Sequence, residues 1–203
     1  MDEPTARKLR FLTLQVVGAV AVVHFVVGAS ELARFRKAGI LRQYLFGGEL
    51  LVQPDPVLFV VSSVAILAGI GAVAAGYLGL RRAYVLGMAA MAVYVIGWFA
   101  WHTVLDHGVG ATPTTSGTAD TTHLGLVNVV LSHYVDPLVG AVNGADQPGR
   151  VVLAAVSKTL EVVAFALLAT LLAFDPRVEE PENPVAGLAS GSDGRADTDE
   201  ESS

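Results

Sequence analysis

The chain has 203 residues, of which 53% are hydrophobic and only 16% charged, with a formal net charge of −6. With a mean hydropathy of +0.55 and its apolar residues gathered in long blocks, it is too apolar for an ordinary soluble domain and reads as a polytopic, all-α membrane protein. The absence of cysteine excludes disulfides, thiolate metal sites and cysteine nucleophiles.

About 20 residues at roughly 1.5 Å each cross a 30 Å hydrocarbon layer. The first run of that kind, "FLTLQVVGAVAVVHFVVGAS", predicts a span over about 11–33, bounded by Arg10 and by Glu31 with Arg34. It lacks the small-residue cleavage pattern of a signal peptide. The loop that follows, "ARFRKAGILRQYLFGGEL", is basic enough to lie on a membrane surface as an amphipathic helix.

A second span is expected over 57–80, starting just after "QPDP" and ending at Arg81 and Arg82. Its small residues at four-residue spacing, Ala68, Ala72 and Gly76, invite close approach by a neighbouring helix, and packing within the chain is the preferred reading over a dimer motif. The third span, 83–105, carries an aromatic belt: Tyr77 and Tyr84 flank the arginine pair, and Trp98 and Trp101 mark the opposite end.

The stretch "WFAWHTVLDHG" then places His102, Asp106 and His107 at the border of the membrane. After a polar loop comes an apolar segment over about 122–145, interrupted by Asn128, His133, Asp136, Pro137 and Asn143. Its interruptions favour a surface or re-entrant helix broken at "DP" over a fifth span. The last span is expected over 151–174. These elements give a four-helix membrane bundle, a polytopic domain over 1–177 with the extra helix before its last span. Residues 178–203 form an acidic, small-residue-rich tail expected to be disordered.

Basic residues outside the lipid set the orientation. With the N-terminus in the cytoplasm, one side holds Arg7, Lys8, Arg10, Arg81, Arg82, Arg177 and Arg195, and the other Arg34, Arg36, Lys37, Arg42 and Arg150. This bias favours a multi-pass protein of the cell membrane with both termini inside. Lysine occurs only at Lys8, Lys37 and Lys158 while arginine is more frequent. That usage, with the acidic exposed segments, resembles the composition of proteins from salt-loving microbes.

Ionisable groups within a span are costly, so their depths matter. Counted from Arg10, Arg82 and Asp175 as markers of one surface, His24 and Glu161 both lie about 21 Å in. Lys158 follows at about 25 Å, and Glu31 and His102 at about 31 and 30 Å. His24 and Glu31 share a helical face with Gly28 between them. The proposed polar site is therefore His24, Glu31, His102, Lys158 and Glu161. The bland alternatives are an ion pair of Lys158 with Glu161 inside one helix, a histidine bonded to a carbonyl, and interfacial polar residues after the tryptophans.

Three functional readings follow. The first is a non-enzymatic bundle whose polar site handles protons or cations or associates with a membrane partner. The second is a metal or haem redox protein, with His102, Asp106 and His107 as metal ligands; bis-histidine haem between His24 and His102 suffers a depth mismatch of about 9 Å. An intramembrane hydrolase using metal-activated water ranks last, because HExxH, GxSxG and phosphate-loop patterns are all missing. The basic residues lack an aromatic stacking platform, so nucleic acid is not an expected partner; the lipid bilayer is.

Overall fold

The computed structural model describes residues 1–103, 126–144 and 149–178. Within them every regular element is helical: α1 Glu3–Lys37, α2 Leu41–Phe46, α3 Glu49–Val52, α4 Asp55–Ala74, α5 Leu80–Thr103, α6 Leu126–Val130, a π-helical turn Leu131–Val135, α7 Asp136–Val142 and α8 Gly149–Phe174. Four helices are long and apolar enough to cross a membrane, over Glu3–Lys37, Asp55–Ala74, Leu80–His102 and Val152–Phe174. Their outward faces carry Phe11, Val22, Leu58, Val93 and Ile96, all more than half exposed. Such a surface is tolerable in lipid and not in water.

α1 runs further than its apolar stretch. Pro4 and Glu3 occupy its first turn, where a missing N–H costs nothing and an acid meets the positive helix end, and Arg34, Arg36 and Lys37 complement the negative end. Its 35 residues measure about 52 Å, well beyond a hydrocarbon layer of about 30 Å. The basic part of the first loop is thus the last turn of α1, and α2 and α3 fold back beyond it. Tyr44 closes that corner: its ring lies 4.6 Å from Phe35 and its hydroxyl donates to the Gln53 carbonyl at 2.8 Å.

α4 stops six residues before the expected boundary. Gly76 takes φ +76°, its N–H bonds to Val73 O and the Tyr77 N–H bonds to Ala72 O. This pair of bonds is a Schellman stop, and a left-handed residue without a side chain ends the helix where hydropathy alone would continue it.

In the segment after α5, Pro137 does not break the helix as expected. The Asp136 N–H reaches back to Leu131 O across the π-helical turn, and Asp136–Val142 continues in helical geometry with Pro137 in its first turn. A wider turn makes room for the proline ring where an ordinary α-turn would clash. This additional helix packs against α5 and α8, with Val129 and Pro137 buried.

α1 lies at the centre of the bundle, with α4 against one side and α8 against the other, while α5 packs on α8. The core joins Val17 and Val20 of α1, Tyr84 and Met91 of α5, and Ala164, Leu168 and Leu171 of α8. Two glycines permit the closest crossings. A Cβ on Gly28 would stand 2.6 Å from Pro56 O, and one on Gly87 would stand 2.9 Å from Leu168 Cδ1. The small-residue stripe of α4 does not serve this purpose: Ala68 and Gly76 are exposed, and no neighbouring atom lies within 4 Å of a Cβ built on Gly76. The expectation that it packs inside the chain is therefore corrected, because α4 turns its Pro56–Ser63 face to α1 instead. Tyr84 is likewise not a belt residue. It is 6% exposed, inside the core, whereas Tyr77 is 88% exposed.

Candidate functional site

The deepest polar cluster joins the first and last spans. His24 projects from α1 and Glu161 from α8, and His24 Nε2 stands 3.2 Å from Glu161 Oε1. The His24 side chain is 4% exposed and that of Glu161 fully buried. His24 Nδ1 lies 2.9 Å from the Val20 carbonyl oxygen one turn back. A carbonyl only accepts, so Nδ1 carries a hydrogen and donates it, which leaves Nε2 as the nitrogen that faces the acid.

Two aromatic rings hold the imidazole. Tyr94 of α5 stacks on it with centroids 4.2 Å apart and planes 12° apart, and Phe59 of α4 meets it edge-on at 4.8 Å. All four spans therefore meet at this histidine. Tyr94 is fixed in turn by its hydroxyl, which donates to Ser62 Oγ at 2.5 Å, while Ser62 donates to Leu58 O at 2.6 Å.

Glu161 has more polar partners than His24. Lys158, one turn earlier on α8, donates from Nζ to Glu161 Oε1 at 2.7 Å and to Oε2 at 2.6 Å, and its third hydrogen reaches the Tyr94 carbonyl at 3.3 Å. Ser157 Oγ donates to Oε1 at 3.1 Å. Three acceptors around one ammonium consume all three of its donors. Bulk water then has little to add, which is how two ionisable groups can be retained at this depth.

If Lys158 spends three hydrogens and Nδ1 spends its own on Val20, the approach of Nε2 to Oε1 is attractive only when one further proton lies between them. The contact of α1 and α8 thus sets an imidazole nitrogen against a carboxylate oxygen at 3.2 Å.

The structure brings together three of the five residues of the proposed site, His24, Lys158 and Glu161. Glu31 is directed elsewhere, to an ion pair with Arg34 one turn along α1. It also faces the corner of Tyr44, where burial first, and then the charges of Asp55 and Glu31, push the phenol above its usual range. His102 is set against Trp98 and His133: its Nδ1 donates to Trp98 O at 2.8 Å, and its ring lies 4.8 Å from that of His133. Of the metal set, Asp106 and His107 lie outside the described residues, as does the C-terminal tail from residue 179. Among the described residues, no group of three or more His, Asp or Glu side chains could hold a metal ion. His24 has both ring nitrogens engaged, which removes it as an axial haem ligand in this conformation.

Sequence reasoning passed over Tyr94, Ser157 and Ser62. Tyr94 lies about 18 Å from the Arg82 marker along α5, near the level of His24, and Ser157 stands one turn from Glu161. Depth and periodicity would have found both.

A second polar cluster closes the opposite end of the bundle. Asp175, 2% exposed, accepts from the Tyr84 hydroxyl at 2.7 Å and from the Arg177 backbone N–H at 3.0 Å. Arg10 Nε lies 3.0 Å from Asp175 Oδ2, within ionic reach though off the line of a hydrogen bond. Glu3 links Arg10 and Arg177, each at 2.8 Å. This cluster ties both ends of the chain's membrane domain to α5. Between the two clusters a cleft of about 550 Å³ separates α4 from α5, lined by apolar residues such as Ile66, Ile70 and Leu168, with Arg10 and Tyr84 at one end and Ser62 at the other.

Comparison with known protein families, with curated proteins and with solved structures finds no match.

Proposed function

We propose that this chain is a small multi-pass membrane protein that handles protons or other small cations at the buried site of His24, Glu161 and Lys158. The observation that carries this reading is the 3.2 Å approach of His24 Nε2 to Glu161 Oε1 across two spans. An imidazole beside a carboxylate is a pair able to pass a proton, and ionisable groups this deep in a span are costly enough to mark a functional site. On the reading that Arg7, Lys8, Arg10, Arg81, Arg82 and Arg177 face the cytoplasm, the site belongs to the outer half of the membrane.

The test is ion flux in vesicles reconstituted with the whole chain. Wild type is expected to dissipate a pH gradient faster than His24→Ala and Glu161→Gln, both reconstituted in folded form. Equal flux in all three removes the reading.

A second reading, a metal-binding redox protein, draws on the outer end, where the rings of His102 and His133 lie 4.8 Å apart and Asp106 and His107 follow close in sequence. Metal retained in stoichiometric amount after purification, and lost in His102→Ala, would favour it over the first.

A further inference from the structure

The ammonium of Lys158 occupies a position built like a cation site. Around Nζ stand Glu161 Oε1 at 2.7 Å, Glu161 Oε2 at 2.6 Å and the Tyr94 carbonyl oxygen at 3.3 Å, with Ser157 Oγ next to Oε1 at 3.1 Å. Carboxylate, carbonyl and hydroxyl oxygens are the donors hard monovalent and divalent cations prefer, and backbone carbonyls can replace a shed hydration shell. The carbonyl of Tyr94 is an unusual acceptor for a side chain on another span, since a helix spends its carbonyls internally; here a second lone pair is turned to the lysine.

We infer that Lys158 is a tethered cation that fills this site permanently and so reserves it for protons, keeping sodium and potassium out. The inference rests on the reading of His24 and Glu161 as an ion-handling pair and names the ion. A metal cation would have to displace a positive charge that makes three hydrogen bonds and is bonded to the same helix as its acid. A proton needs to displace no cation: it is held at the contact of Oε1 with His24 Nε2, where the imidazole takes and returns it while Lys158 stays bonded to both carboxylate oxygens. The groups that face the cluster are His24 from α1, Phe59 and Ser62 from α4, Tyr94 from α5, and Ser157, Lys158 and Glu161 from α8; Lys158 is the cation in contact with both carboxylate oxygens.

Binding of radiolabelled sodium to the full chain in liposomes tests this, together with proton flux followed by a pH-sensitive dye. Lys158→Met removes the ammonium and keeps the length of the side chain. It is expected to bind at least about tenfold more sodium than wild type, and to lose that binding when Glu161→Gln is added. Lys158→Arg, which restores a cation, is expected to exclude sodium again. Folded Lys158→Met that binds no more sodium than wild type overturns the inference. Should that variant not fold, wild type still decides: sodium in place of choline must leave its proton flux unchanged, and competition by sodium overturns the inference equally. Loss of His24- and Glu161-dependent flux is a separate result, because sodium binding is read at equilibrium; it would fell the ion-handling reading without bearing on what Lys158 excludes.

Discussion

His24 Nε2 and Glu161 Oε1 meet at 3.2 Å in the interior of the bundle, one from the first span and one from the last. Their contact is the single polar bridge between α1 and α8 at this depth among the described residues, and Lys158 compensates the acid through both of its oxygens. Glu161→Leu would leave Lys158 buried without its counter-charge, and removing one partner of a buried pair costs about 3–5 kcal/mol. Thermal unfolding in detergent should show that loss. Lys158→Met combined with Glu161→Leu should recover much of it, because two apolar side chains leave no charge uncompensated. A double variant no more stable than Glu161→Leu alone would contradict the pairing.

Gly28 sets the distance between α1 and α4. A methyl group there would lie 2.6 Å from Pro56 O and 3.0 Å from Phe59 Cβ, and backbone cannot give way as a flexible side chain can. Gly28→Ala should therefore destabilise the protein by about 1–3 kcal/mol, the usual cost of overpacking. It should also disturb the edge contact of Phe59 with His24. Gly18→Ala on the same helix meets nothing within 4 Å and is expected to be neutral or slightly stabilising; a comparison of melting temperatures checks both.

Tyr84 supplies a hydroxyl to the buried Asp175 carboxylate at 2.7 Å. Tyr84→Phe keeps the ring in the core and removes that donor alone. The expected cost is about 1.5–3 kcal/mol, as for a hydrogen bond to a charged group. An interfacial tyrosine would lose almost nothing, so denaturation of the two proteins side by side distinguishes the positions.

Tyr94 joins the site through its ring, its hydroxyl and its backbone. Tyr94→Phe keeps the stack on His24 and forfeits the bond to Ser62, for about 0.5–1.5 kcal/mol. Tyr94→Leu also loses the stack, worth about 0.5–1.5 kcal/mol more, and frees the imidazole to rotate away from Glu161. Proton flux in vesicles should therefore fall further in Tyr94→Leu than in Tyr94→Phe. Equal flux in the two would mean that the stack does not position His24.

Much of the architecture was legible because a bilayer leaves few choices. Backbone groups must be satisfied within each crossing segment, so length and hydropathy alone locate four spans. The common depth of His24 and Glu161 was also legible, since rise per residue is fixed in a helix. The ends of α4 and the path through Pro137 were not. Gly76 and the turn at Leu131–Val135 act through local hydrogen bonds that a hydropathy window averages away.

Depth is a single coordinate, and this is where the linear chain stops deciding. It put Glu31 and His102 in the same outer tier, yet rotation about each helix axis turns Glu31 to Arg34 and His102 to Trp98 and His133. Only the packing of α1 between α4 and α8, set by Gly28 against Pro56 and by the Val17–Leu171 core, aims His24 at Glu161. The same packing brings Tyr94, which no motif marks, into stacking contact with the imidazole. A sequence fixes how far along its axis each side chain lies; which neighbours it meets depends on azimuth and crossing angle, and those are settled jointly by all the helices in contact.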